Sequence, residues 1–316
     1  MPFTRKPRTF TASTGTVTIG TGDGSLTIGG DNVMPLYYFD GKGPNRPAIG
    51  VEVSDVGAEY CDTGLPQLAA LYEGADSVAQ RAARAAALEG ADFVCLVFEG
   101  ADPGGQNREV EDCVADAKAV LAQINKPLAI AGCKNIEKDT ALFTALAEAL
   151  SGANVLFISA KEENYKAIGT AAALAYGHKA GAESAVDINL AKQLNVLITQ
   201  LGVPASSVVM NLGSAAAGYG FEYVASTMDR VKSAALEQND TMLQMPVVTP
   251  VSSEAWSAKE SVMLESDMPE WGSREERGVC MEIVTAAACL TSGSDAVILR
   301  HPASVETISA LIAALV

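Results

Sequence analysis

Ala48-Ile49-Gly50-Val51-Glu52-Val53 is an apolar run of strand length that breaks into Ser54-Asp55-Val56-Gly57 and then gives way to a longer stretch with helical spacing. The same phrase occurs eight times between Pro47 and His301. The other runs are Phe93 to Phe98, Leu128 to Ala131, Val155 to Ile158, Ser184 to Ile188, Ser207 to Met210, Pro246 to Val248 and Ala296 to Leu299. Each has the length of a strand, and most lack polar alternation, as expected of parallel strands covered on both faces. Between them, Leu142, Leu146 and Leu150, then Leu194, Leu197, Ile198 and Leu201, then Val279, Ile283, Ala287 and Leu290, recur at three-and-four spacing. Those are helices with one buried stripe. The order predicts an α/β fold, a (β/α)8 TIM barrel, which uses roughly 250 residues in a single domain. Residues 47–316 are assigned to the barrel and 1–46 to a lead-in. In the lead-in, Thr16 to Ile19 and Ser25 to Ile28 flank the Gly22-Asp23-Gly24 turn, a predicted β-hairpin covering the barrel bottom.

Charge and composition exclude several classes. The chain has 22 basic and 38 acidic residues, a formal net charge of −16, so no nucleic-acid partner is expected, because such binding rests on neutralising phosphates. No apolar run approaches the ~18 residues of a membrane span, and no apolar core follows Arg5, Lys6 and Arg8. A cytoplasmic protein without a membrane partner is the expectation. The six cysteines, Cys61, Cys95, Cys113, Cys133, Cys280 and Cys289, form no Cys-x-x-Cys and have no nearby histidine. They read as buried thiols, with Cys61 and Cys133 left open because both follow strands. Neither a zinc site nor an iron–sulfur cluster is offered.

Function in such barrels lies at the C-terminal ends of the strands. No lysine falls within a predicted strand, which argues against an imine-forming aldolase. The two histidines are His178, near a helix end, and His301, directly after the last strand. Two histidines cannot build a multi-histidine metal site, and His301 before Pro302 reads first as a loop anchor. Glu52, Asp55, Glu99, Asp187, Asn189 and Asn211 lie at or near the mouth; each carboxylate is either paired inside the barrel or functional. Asn211-Leu212-Gly213-Ser214-Ala215-Ala216-Ala217-Gly218-Tyr219-Gly220-Phe221-Glu222-Tyr223 lets the backbone approach a ligand closely, yet it matches neither a P-loop nor a dinucleotide fingerprint. The excursion from Thr249 to Ser273 holds both tryptophans, and Trp256, Met263, Met268 and Trp271 are expected to form an apolar docking patch unless the segment folds back over the barrel.

Four segments carry a resemblance that covers nearly the whole chain. They are Gly218-Tyr219-Gly220-Phe221-Glu222-Tyr223, the predicted helix Asp187-Ile188-Asn189-Leu190-Ala191-Lys192-Gln193-Leu194-Asn195, the loop Glu254-Ala255-Trp256-Ser257-Ala258-Lys259-Glu260, and Arg300-His301-Pro302. Together they resemble the small subunit of the corrinoid iron–sulfur protein, a relative of the delta subunit of the acetyl-CoA decarbonylase/synthase complex. The resemblance implies a methyl carrier of the reductive acetyl-CoA pathway in anaerobes, a route of carbon fixation. Its corrinoid (cobalamin) cobalt takes a methyl group from methyltetrahydrofolate, through methyltetrahydrofolate methyltransferase, and delivers it to acetyl-CoA synthase. It further implies a heterodimer. The corrinoid is shared with a large subunit, and the four-iron cluster resides on that subunit alone.

Motif and position at the strand ends nominate Asn211, Gly213, Tyr219, Gly220, Thr249, Trp256 and His301 as cofactor-binding residues. No catalytic or metal-ligating residue is assigned. Two other readings stand beside the carrier: a pterin-dependent methyltransferase acting alone, with Asp55, Glu99, Asp187 and Asn211 holding the pterin, and a structural docking subunit.

Overall fold

The computed structural model describes residues 4, 6–34, 36, 40–41, 43–56 and 64–316. A two-stranded antiparallel hairpin, β1 (Thr16–Ile19) and β2 (Leu26–Gly29), precedes a parallel eight-stranded sheet. Its strands are β3 (Ala48–Ser54), β4 (Phe93–Val97), β5 (Leu128–Ala131), β6 (Leu156–Ala160), β7 (Lys179–Glu183), β8 (Val208–Asn211), β9 (Val248–Pro250) and β10 (Ala296–Leu299). They run β8-β7-β6-β5-β4-β3-β10-β9, and a parallel bridge from Met210 to Val247 closes the ring. The (β/α)8 barrel with its N-terminal hairpin is therefore the fold.

Helices α1 (Pro66–Tyr72), α2 (Val78–Ala86), α3 (Val110–Gln123), α4 (Ile136–Ala149), α5 (Tyr165–Ile168), α6 (Ile188–Gln200), α7 (Phe221–Leu236), α8 (Val251–Ala255), α9 (Lys259–Val262), α10 (Arg274–Ser292) and α11 (Pro302–Leu315) surround the sheet. Two-residue alternation separates two cores. Ile49, Val51, Val94, Leu96 and Ile130 pack outward with the helices, whereas Ala48, Phe93, Cys95, Ala129, Leu156, Val209 and Ile298 fill the barrel axis. Phe93 occupies the centre because Gly50 beside it has no side chain; a Cβ there would stand 2.4 Å from the Phe93 ring. Val17, Ile19 and Ile28 join this inner core, so the hairpin plugs the bottom of the barrel as expected.

Two placements differ from the sequence reading. The fifth barrel strand is Lys179–Glu183 instead of Ser184–Ile188. In the latter segment Ala185 and Val186 take φ of +45° and +63°, which no strand permits, and Asp187 caps α6 by accepting from Asn189 N and Leu190 N. A lysine accordingly does lie in a strand, although Lys179 opens β7 at the end away from the mouth and its Nζ is 3.4 Å from Ser207 Oγ. The second difference concerns α10. Val279, Ile283 and Ala287 flank its buried stripe, which consists of Glu275, Gly278, Glu282, Thr285, Ala286, Cys289 and Leu290.

A buried ion pair anchors the bottom. Lys232 Nζ lies 2.7 Å from Asp295 Oδ2, and that oxygen also accepts from Val247 N at 2.6 Å. Burial and the Asp295 charge push the neighbouring Asp31 carboxyl up to about 7, with Lys232 opposing. A carboxyl whose folded pKa exceeds its unfolded value favours the fold while protonated. Stability from Asp31 is therefore present at acid pH and lost as pH rises from about 4 towards 7. Calorimetric transitions of Asp31→Asn and the wild type are expected to nearly coincide at pH 4 and to separate above pH 7, with the variant melting a few degrees higher. A constant difference across that range would reject the assignment.

Candidate functional site

Alternation along the strands also decides what lines the mouth. Residues facing the axis at the C-terminal ends include Glu52, Val97, Ala131, Asn211, Pro250 and Ile298, which surround a cavity of about 190 Å³. A second, more open basin of about 400 Å³ shares Glu52, Val97, Gly132, Lys134 and Ser253 with it and adds Glu99, Asp102, Cys133, Trp256, Ser257 and Arg300.

Charge inside this mouth is largely internally matched. Arg300, one residue beyond β10, sets Nε 2.8 Å and Nη2 2.6 Å from Glu52 Oε1, and Ser252 Oγ donates to Glu52 Oε2 at 2.5 Å. Asp55 has a fully buried side chain that accepts from Arg108 Nη1 and Gly100 N, both at 2.8 Å. Lys161 lies 3.3 Å from Glu183 on the far side. Ser54 Oγ donates to Glu99 Oε2 at 2.6 Å.

Behind the lip stands a second layer. Glu282, fully buried and with its carboxyl pushed up by burial, accepts from Arg300 N at 2.7 Å and His301 N at 3.2 Å. His301 Nδ1 accepts from Ala303 N, so Nε2 carries the proton and donates to Glu275 Oε1 at 3.0 Å. Burial holds this imidazole below its ordinary value, against the pull of Glu275. Glu275 Oε1 also accepts from Gln67 N and Leu68 N at the start of α1. The His301 ring stacks on Trp256 at 5.8 Å between centroids, and the Arg300 guanidinium lies 6.0 Å from the Trp256 ring. Trp256 is 6% exposed, and its Nε1–H is buried with no acceptor among the described residues. A buried donor left unmet costs about 1–3 kcal/mol.

Comparison with known proteins places this geometry. A model of the CO dehydrogenase/acetyl-CoA synthase delta subunit family matches residues 16–313. The chain belongs to that family. The acetyl-CoA decarbonylase/synthase complex subunit delta of Archaeoglobus fulgidus is 31% identical over 299 residues, covering 92% of this chain and 64% of that protein. Subunit delta 2 of Methanosarcina acetivorans is 32% identical over 290 residues, with 90% and 64% covered. The chain thus spans slightly less than two thirds of these relatives. Among solved structures, Xanthomonas albilineans dihydropteroate synthase with 4-aminobenzoic acid superposes with a TM-score of 0.58 at 15% identity, over 95% of this chain and 98% of that one. The Yersinia pestis dihydropteroate synthase with a sulfonamide drug complex gives 0.55 at 13% identity, over 85% and 93%. Such identities speak for the barrel fold alone.

In this delta-family barrel the nominated residues separate into four groups. Asn211 and Gly213 line the central cavity; Asn211 Nδ2 donates to Ile158 O at 3.2 Å and its Oδ1 accepts from Gly213 N at 3.0 Å. Trp256 walls the adjoining basin, with His301 stacked behind it and fully buried. Tyr219 and Gly220 stand on the outer rim. The Tyr219 hydroxyl donates to Glu260 Oε2 at 2.6 Å, and Gly220, at φ +86°, precedes α7. Thr249 lies inside β9 rather than after it, its side chain fully buried against Ser294 Oγ at 2.5 Å.

Of the mouth carboxylates and amides, Asp187 and Asn189 are exposed at the start of α6 and line neither cavity. The expected apolar patch also changes. Trp256 is buried, Trp271 sits beneath Lys259 and Arg277, and the exposed apolar side chains nearby are Val262, Leu264 and Val284, beside Tyr219 and Tyr223. Cys133 Sγ donates to Asp139 Oδ1 at 3.2 Å and its thiol is pushed up to about 11, chiefly by burial. Cys61 lies outside the described residues. Among the described residues no cluster of three His, Cys, Asp or Glu side chains is placed to hold a metal ion, and no helix is long and apolar enough to cross a membrane.

Lys134, Ser253 and the two buried carboxylates of α10, Glu275 and Glu282, were not singled out by sequence reasoning, and Arg300 entered only within a quoted segment, with no role. Arg300 could have been singled out: Ala296, Ile298 and Arg300 share one face of β10 and its extension, as Ala48, Gly50 and Glu52 share one face of β3.

Trp256 packs so closely on α10 that a Cβ on Gly278 would stand 2.2 Å from its ring. Gly278→Ala is expected to lower stability by about 1–3 kcal/mol and to alter the near-ultraviolet dichroism of the indole. Unchanged melting and an unchanged aromatic spectrum would show that Trp256 is not clamped there.

Proposed function

We propose that this chain forms one side of the corrinoid site of a methyl carrier. In that carrier the chain pairs with a large subunit that holds the four-iron cluster. The pair accepts a methyl group from methyltetrahydrofolate by way of its methyltransferase and passes it to acetyl-CoA synthase. One observation carries the reading. The mouth offers amides, hydroxyls, backbone groups, carboxylates and an aromatic wall, but neither histidine and none of the four buried or half-buried cysteines is free to act as a base or nucleophile. The ring nitrogens of His301 are committed to Ala303 N and Glu275, and those of His178 to Val155 N and Ala147 O. Burial holds the Cys95, Cys113, Cys133 and Cys289 thiols protonated.

The residues fit a ligand held only in part by this chain. Cavities that enclose a small molecule run to about 300–1,000 Å³, whereas the central cavity is about 190 Å³ and the adjoining basin is open. A corrinoid is too large for the first and is not enclosed by the second, so a partner has to supply the remaining contacts. Asn211, Gly213 and Trp256 are the residues of this chain assigned to it. Tyr219 and Gly220 serve the rim, and Thr249 and His301 act from behind as positioning residues. When bound, the corrinoid supplies the methyl-accepting metal; the barrel binds, orients and excludes water.

The stand-alone pterin enzyme is less well supported. Asp55 is consumed by Arg108 and Gly100 N, Asp187 caps a helix, and the remaining pair, Glu99 and Asn211, line different cavities.

The chain, expressed with and without the large subunit and given cobalamin under anaerobic conditions, is expected to retain a corrinoid visible spectrum only as the pair. Retention by neither preparation, together with methyltetrahydrofolate binding by this chain alone, would replace the carrier with the methyltransferase. Assembly without any corrinoid retention or pterin binding would leave the docking role.

A further inference from the structure

Helix α10 buries two carboxylates, Glu275 and Glu282, and leaves apolar side chains on its outer side. Arg277, Cys280, Met281 and Val284 recur there at three-and-four spacing and line an open groove of about 550 Å³. Cys280 is exposed, and Val284 is 55% exposed. Ala217, whose N–H donates to Thr285 Oγ1 at 3.0 Å, completes the lining with Trp271 and Glu260. Tyr219 is tied to the groove by its hydrogen bond to Glu260, and Tyr223, also exposed, stands in the first turn of α7. A helix that is apolar on both sides is one that is covered on both sides. In the chain alone, α10 is covered on one.

Two features of this face decide what covers it. Trp, Tyr, Met and Arg are the residues concentrated at the centres of protein interfaces, and Trp271, Tyr219, Tyr223, Met281 and Arg277 meet here. The charge is acidic. In the segments that bear the groove, Glu222, Glu265, Asp267, Glu270 and Glu276 are exposed, against the cations Lys259, Arg274 and Arg277. Two copies of such a face would set like charges against each other, in a chain whose net charge is already −16. A partner that presents apolar side chains between lysines or arginines meets both features. We infer that this groove on α10 is the docking face for the large subunit, which fills it with an apolar segment flanked by basic residues. The inference rests on the shared corrinoid site above and names where its other half is held. The groove adjoins the mouth: the Tyr219 hydroxyl, bound to Glu260, also accepts from Lys259 N at 3.3 Å, and on its buried side α10 receives the Trp256 ring at Gly278. A partner seated here lies beside the mouth it has to complete.

Cys280 provides the readout, because an exposed thiol is open to reagents and a covered one is not. Its alkylation by N-ethylmaleimide, followed by peptide mass spectrometry, is expected to slow about tenfold or more when the chain is paired with its large subunit. Val284→Arg is expected to weaken pairing about tenfold or more and to leave the melting of the chain alone unchanged, since the side chain is 55% exposed. Pairing of the wild type is expected to slow as salt rises, and Glu270→Lys combined with Glu276→Lys to slow it about three- to tenfold at low salt. Equal or faster pairing of that double variant overturns the basic occupant. A pair that forms and holds cobalamin while Cys280 stays as reactive as in the free chain overturns the docking face and leaves the corrinoid reading standing. A dimer of the chain alone that Val284→Arg dissociates gives the face to a second copy and overturns the proposal. Absence of any pair overturns both readings.

Discussion

A carboxylate on the inner wall of a barrel has to be neutralised where it stands, and the lip of this barrel is organised around the neutralisation of Glu52. Strands β10 and β3 pair in parallel with Leu299 opposite Val51. That register brings Arg300 beside Glu52, since both occupy the next position along their strands. Ser252, at the start of the helical excursion after β9, takes the second carboxylate oxygen. Removing either charge from such a pair would strand the other in a poorly solvated place. The pair therefore ties β3, β10 and the segment after β9 together before any ligand is considered.

From Arg300 the constraint passes outward. Its backbone N–H is held by Glu282 and its guanidinium lies against Trp256. Trp256 in turn rests on His301, and His301 on Glu275, which closes onto the first turn of α1. This explains why α10 buries carboxylates on its core face. Glu275 and Glu282 meet backbone N–H groups and a histidine that would otherwise lie unpaired beneath the lip.

Sequence periodicity finds apolar stripes, so it located α10 but not the face by which it binds the barrel. β7 shows the same limit from the other side. Lys179-Ala180-Gly181-Ala182-Glu183 has no β-branched residue, whereas Val186 and Ile188 just beyond it look like strand and instead form a left-handed turn and a helix start. The seven other strands, the closed order and the hairpin were legible because burial on both faces leaves long apolar runs. The site was legible in part. Asn211 and Gly213 follow from position at a strand end. Thr249 and His301 occupy comparable positions yet turn into the packing, because alternation aims successive residues at opposite faces. That rule, applied two residues beyond Ile298, points to Arg300, which no count of apolar residues reveals.

The same chain of contacts bears on how a half-site would work. Trp256 stacks on His301, lies near the Arg300 guanidinium and is pressed against Gly278, and both histidines are locked by their partners. A platform so fixed loses little conformational freedom when a ligand settles on it. It is equally unable to follow a ligand that must be shielded at one moment and exposed at another. In the proposed carrier that freedom has to belong to the other half of the site. The rigidity of this mouth, and the division of one binding site between two chains, are then consequences of the same requirement.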